Sequence, residues 1–162
     1  MSLSIPHPIF TSCSSNVFET NKSVCQASLL SGRYKTDYFS RHWNKDNPHG
    51  FCTLCPGKSY FDTLEHFLVS CDTLQDKRTT IIDYWLNSAE EDDNLHELLV
   101  RKLRAPPHIL LQFLIDPAAD PDVIQGCQHK IYTLDEIFRL TRCWCYALHR
   151  RKLQITGKFQ KL

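Results

Sequence analysis

Residues 131–149 read Ile-Tyr-Thr-Leu-Asp-Glu-Ile-Phe-Arg-Leu-Thr-Arg-Cys-Trp-Cys-Tyr-Ala-Leu-His, and their spacing decides the fold class. Ile131, Leu134, Ile137, Phe138, Thr141, Trp144, Cys145 and Leu148 recur at steps of three and four, the period of one helix face rather than the alternation of a strand. Upstream the same period returns in shorter pieces, each bounded by a cap or a proline. Val24, Ala27 and Leu30 predict a short helix over 21–30 that stops at Gly32. Asp62 or Thr63 can cap a short helix through Leu68, and Asp72 a longer one carrying Leu74, Ile81, Ile82, Trp85 and Leu86. After the acidic run at 90–93, Asp93 can open a helix over 95–103, and Pro106-Pro107 ends it and begins the next. Asp120-Pro121 starts another short helix that reaches about Gln128. No alternation is long enough for a sheet. The expected fold is mostly α: a helical domain with a small zinc-bound turn or β-hairpin insert.

The insert is a cysteine cluster. Cys52, Cys55, His66 and Cys71 follow the pattern C-x2-C-x10-H-x4-C. Zinc takes four soft or borderline ligands in a tetrahedron, and a C-x2-C turn presents two thiolates from one tight loop. Pro56-Gly57 lets the chain reverse just after the pair. The second half is harder. Residues five apart on an α-helix point about 140° from each other, so His66 and Cys71 can share an ion only if the helix ends between them. Ser70, Cys71 and Asp72 are poor helix-interior residues and allow that break. Four protein ligands leave no position for water, so the zinc would be structural. Buried free thiols are the rival reading, and His49, just before Cys52, is an alternative ligand.

Composition alone allows metal or disulfides, and spacing moves the choice to metal. The 162 residues hold eight cysteines, and Cys13, Cys25, Cys127, Cys143 and Cys145 show no second clear metal spacing, although Cys127 with His129 is an alternative pair. Left-over thiols suit a reducing compartment, so an intracellular protein of nucleus or cytoplasm is expected. No apolar run approaches the roughly 18 residues of a membrane span, so no membrane partner is expected. Catalytic motifs fail at required positions. Gly57-Lys58-Ser59 ends like a phosphate loop, but Cys52 stands where its first glycine belongs. His96-Glu97 begins a zinc-protease motif, yet Val100 replaces the second histidine. No histidine is followed two residues on by glutamate, which removes the zinc-deaminase signature. Neither an enzyme nor a small-molecule substrate is expected.

The net charge of +1 hides an asymmetry. Residues 33–58 carry five basic and two acidic side chains among Tyr34, Tyr38, Phe39, Trp43 and Phe51. Residues 139–162 carry seven basic side chains and no acidic one, whereas 83–97 hold six acids and no Lys or Arg. Basic groups beside aromatic rings suit unpaired nucleic acid, so Arg33, Lys35, Arg41, Lys45, Arg150, Arg151 and Lys152 are the expected phosphate contacts. The alternative is that the rings pack beneath the zinc turn and the terminal run is a solvated helix end.

The block from Cys25 to Tyr34, the box Thr63-Leu64-Glu65-His66-Phe67-Leu68 leading to Cys71, and the closing Leu140 to His149 together resemble one family. They are similar to the region after the reverse transcriptase in non-LTR retrotransposon polyproteins. The gap between Cys55 and His66 is longer here than is usual in that family. The resemblance implies Cys52, Cys55, His66 and Cys71 as zinc ligands in a nucleic-acid-associated module. Its implied partners are RNA or DNA, with a reverse transcriptase domain or a second copy as further candidates. A zinc-stabilised protein-interaction domain is the alternative, docking through Ile137, Phe138, Trp144 and Leu148. The expected organisation is a poorly ordered lead-in over 1–19, a helix with the zinc module over 20–75, a helical region over 76–154 and a basic tail over 155–162.

Overall fold

The chain is described by a computed structural model over residues 7–11 and 16–157. Eight α-helices account for most of it: α1 (Pro8–Thr11), α2 (Val17–Leu30), α3 (Asp37–Ser40), α4 (Gln75–Ser88), α5 (Asp93–Arg104), α6 (Pro107–Ile115), α7 (Pro121–Gln128) and α8 (Leu134–Ile155). The fold is mostly helical, as the periodicity requires. No strand occurs among the described residues. In place of a hairpin insert, a single antiparallel bridge joins Phe51 to Phe61. Among the described residues, no helix is long and apolar enough to cross a membrane.

Local chemistry explains where the helices begin. The Thr133 hydroxyl accepts from the Glu136 N–H and the Glu136 carboxylate accepts from the Thr133 N–H, a reciprocal capping box. Ile131 therefore lies outside α8 and is exposed, although it matches the helical period. Asn16 caps α2, which starts earlier than its apolar spacing suggests. Asp92, not Asp93, caps α5 by accepting from Asn94 and Leu95. Asp120 caps α7 as expected. Of the lead-in, residues 1–6 and 12–15 lie outside the described residues, Cys13 among them, as do residues 158–162 of the tail. The described part departs from an unordered lead-in, because α1 places Ile9 in the core at 0% exposure.

The longest helix, α8, is the axis on which α2, α4, α6 and α7 pack. Its Trp144 meets Trp85 of α4 at 4.8 Å between ring centroids, and Trp85 meets Phe113 of α6 edge-on at 6.1 Å. Fully burying side chains of this size contributes about 1.5–3 kcal/mol each. Their polar edges are also met: Trp85 Nε1 donates to the Leu140 carbonyl at 3.2 Å. Gln26 of α2 reaches across the core to the Leu114 carbonyl at 2.8 Å and the Thr141 hydroxyl at 3.0 Å. Ile137, Phe138, Trp144 and Leu148 are all buried within the chain. That corrects their reading as a docking stripe, since the bundle consumes the whole apolar face of α8.

Candidate metal centre

The segment between α3 and α4 folds around its cysteines. The Cys52 N–H donates to the Tyr60 carbonyl at 2.7 Å and the Asp62 N–H to the Gly50 carbonyl at 2.9 Å, pinning the two ends of the C-x2-C loop. Gly50 and Gly57 make the bends, with φ of +69° and +77°. At Gly50 any Cβ would stand 2.5 Å from the Tyr38 Cα, so only glycine lets α3 lie against the loop.

The geometric problem between His66 and Cys71 is solved by a wider turn. Residues His66–Ser70 form a π turn, closed by the Cys71 N–H donating to the His66 carbonyl at 2.6 Å. Residues joined by such an i→i+5 bond stack nearly one above the other, unlike residues five apart on an α-helix. The chain then leaves in an extended conformation at Cys71, so the expected helix end is present as well. Opening the turn frees the Leu68 carbonyl, which accepts from Trp144 Nε1 at 3.0 Å. The bundle thus holds the turn in shape through its central tryptophan.

Cys52, Cys55, His66 and Cys71 come together, all buried, with one ligand atom from each lying within 4.8 Å of the others. Cys55 Sγ is 3.5 Å from Cys71 Sγ and 3.6 Å from His66 Nε2. Sulfurs about 2.3 Å from a tetrahedral ion lie about 3.8 Å apart, so the cluster has the dimensions of a four-coordinate metal shell. Burial holds His66 below the usual histidine pKa and keeps the imidazole neutral, the form that ligates. Cys71 is drawn below the ordinary thiol range by the hydrogen bond from Cys52, whose own pKa that bond and burial push up. His49 takes no part, because it is exposed and stacks on Phe51 at 5.3 Å. Among the described residues no second metal-sized group occurs, and Cys127 with His129 forms none. Cys25 and Cys145 are buried thiols, Cys25 pushed up to about 12 by that burial, while Cys127 and Cys143 are half-buried.

Two residues support the cluster in ways that the sequence did not signal. Arg78, on the first turns of α4, is 4% exposed and donates through Nη2 to the Cys71 carbonyl at 2.5 Å and Gln75 Oε1 at 2.8 Å. Its Nη1 has no hydrogen-bond partner among the described residues. The charges of Cys71, Asp72 and Cys55 oppose the pull of burial on its pKa. Asp62, 1% exposed, accepts from the Asp37 N–H at 2.7 Å and from Lys152 Nζ at 2.7 Å, tying the loop to both α3 and the end of α8.

That pair changes the expected basic surface. Lys152 is nearly buried against Asp62 and does not present its charge outward. Arg33, Lys35, Lys45 and Arg151 are exposed, and Arg150 is half-exposed. Arg41 lies 3.9 Å above the Tyr38 ring and donates to the Tyr38 carbonyl at 2.6 Å. The rings beside them are not all packed under the loop. Tyr34 does pack inward on Phe67 at 5.2 Å, but Phe39, Trp43 and Phe61 are 47%, 74% and 51% exposed. Tyr38, Phe61, Phe51 and His49 follow one another at 5.3–5.4 Å, a continuous ladder of rings along the loop. No family model, curated protein or solved structure matches the chain.

Proposed function

We propose that the chain is a zinc-stabilised, mostly helical module that binds single-stranded RNA or DNA as an accessory to retroelement reverse transcription, with no catalysis of its own. The observation that carries this reading is the ladder of rings along the cysteine loop, with His49 and Phe61 exposed and the Arg41 guanidinium stacked on Tyr38. Large exposed rings cost solvation, and bases stacking on them would recover it, while lysine and arginine meet the phosphates. Zinc fits the donor set: three thiolates and a neutral imidazole are its preferred closed, structural shell. With a divalent ion that shell carries one net negative charge, which accounts for a buried arginine beside it. The likeness to the region after a retroelement reverse transcriptase supports a nucleic-acid partner. The rival reading, a protein-docking domain, no longer has the α8 stripe that supported it.

The test is direct. Purified chain should contain one zinc by elemental analysis and bind a fluorescein-labelled oligo(U) at low salt, with affinity that falls as salt rises. Trp43→Ala with Phe61→Ala should weaken that binding about tenfold or more without loss of zinc. Absence of oligonucleotide binding at low salt by the zinc-loaded chain would defeat the nucleic-acid reading.

A further inference from the structure

A second basic and aromatic surface lies on the face of α8 that points away from the cysteine loop. Phe18 and Lys22 of α2, Lys77 of α4, and Tyr146, Arg150 and Arg151 of α8 wall a groove of about 460 Å³. These side chains are separated by up to 133 positions in the chain, so the convergence is a product of folding. The groove is organised by its own contacts. Phe18 meets Tyr146 edge-on at 5.6 Å, Lys22 Nζ sits 4.7 Å from the Phe18 ring, and the Arg150 guanidinium is 5.9 Å from the Tyr146 ring. Lys22 is ion-paired to Glu19 at 2.7 Å, and no carboxylate is among the described lining residues. Four cations less the Glu19 charge leave a positive excess facing two half-exposed rings.

We infer that this groove binds one phosphate-and-base unit of a single-stranded nucleic acid, at a site separate from the ring ladder of the cysteine loop. The cations meet the phosphate and the Phe18–Tyr146 pair offers a face and an edge to a base. The base must be unpaired, because a duplex keeps its ring faces stacked inside. The volume is of the size that small organic ligands occupy, about 300–1,000 Å³, and suits a single nucleotide unit rather than a helix. A simple anion site would not need the rings, and an apolar ligand would not need the cations. The inference rests on the proposed nucleic-acid binding and adds where a strand is held.

Cys143, half-buried in the groove wall, reports occupancy, and Cys127 on α7, half-buried outside it, is the internal control. The zinc-loaded full chain is titrated into fluorescein-labelled oligo(U), and N-ethylmaleimide labelling of each cysteine is followed by mass spectrometry. Expected are protection of Cys143 but not Cys127 by the oligonucleotide, and binding about tenfold weaker in Lys77→Glu/Arg150→Glu. The slope of log affinity against log salt should flatten by about 0.7 for each phosphate that the variant no longer neutralises. Zinc content and helical circular dichroism equal to wild type show that the variant is folded. If it binds as tightly as wild type and Cys143 stays unprotected, while Trp43→Ala/Phe61→Ala loses binding, the groove is overturned and the loop reading stands. If wild type binds no oligonucleotide at low salt, both fall. Protection of Cys143 by a phosphoserine peptide but not by oligo(U) also overturns the groove's assignment.

Discussion

The cysteine loop and the helical bundle are held together by different means. The bundle buries Trp85, Phe113, Ile137, Leu140, Trp144 and Leu148 in one continuous core, and the loop enters that core from one side. The loop over 50–74 buries Leu54, Phe67, Leu68 and Leu74 with its four candidate ligands, while Pro56 to Phe61 lie exposed. The exposed stretch has no such packing, and a metal would supply the order that it lacks. The difference teaches where each kind of damage should be felt. The largest expected effect is loss of the metal. Cys71→Ser, or chelation of the wild-type chain, should release the zinc and open residues 50–72 to protease. Most of the helical circular dichroism should remain, because α2, α4 and α6 pack on α8 through side chains that are not candidate ligands. Structural zinc contributes on the order of 10 kcal/mol to small zinc-binding folds, so the loop should not survive its removal. Loop and bundle melting together on chelation would show that the two are one cooperative unit.

The seam between the two regions is sharper than either. Arg151 and Lys152 are neighbours in one basic run, yet Lys152 neutralises the buried Asp62 and Arg151 lies in solvent. Lys152→Met leaves the Asp62 carboxylate buried without its partner and should cost about 3 kcal/mol in denaturant unfolding. Arg151→Met should change stability by less than about 0.5 kcal/mol. Equal effects would mean that the pair does not couple loop to bundle. Arg78 comes next in size. Replacing it by methionine keeps the stem but removes the cation that balances a three-thiolate site. Zinc affinity in a chelator competition should fall about 10–100-fold. A Cys55→His background removes one thiolate charge, so the same Arg78→Met change should cost less there; an equal cost would assign Arg78 to packing alone.

The bundle was legible because its signals are local. The three- and four-residue period of α8, the prolines at 107 and 121, and the Asp120 cap all act within a few residues of where they stand. The ligand set was legible because C-x2-C is a property of one turn. What the sequence did not show depends on contacts between distant segments. The π turn at His66–Ser70 is stabilised by Trp144, 76 positions from the carbonyl it caps. The burial of Lys152 depends on Asp62, 90 positions away. Charge density along the chain places Lys152 beside Arg150 and Arg151 as a single basic run, but helix geometry turns Lys152 to Asp62 while Arg150 and Arg151 line one groove. The hairpin expected for the insert reduces to one bridge, and the four candidate ligands meet without a ladder of hydrogen bonds between strands.

The smallest expected effect tests that seam with acid. His149 on α8 contacts Tyr34 through Nδ1 at 3.0 Å, and Tyr34 in turn stacks on Phe67 beside the π turn. Burial, with the nearby charges of Lys152 and Arg150, holds the His149 pKa below its ordinary value. The unfolded chain therefore takes up a proton near pH 6.5 that the folded chain still refuses. Stability from this group is complete above about pH 6.5 and falls as pH drops through the window down to the depressed native value, where the loss levels off. His149→Gln keeps a polar partner for Tyr34 but cannot titrate. The difference in stability between wild type and this variant should shrink with acid across that window if Tyr34 and the loop are held by a neutral imidazole. His66 titrates in both proteins and cancels from the comparison. A difference that stays constant from pH 7 to pH 5 would show that His149 is solvated, and that the loop leans on the bundle through Lys152 and Trp144 without it.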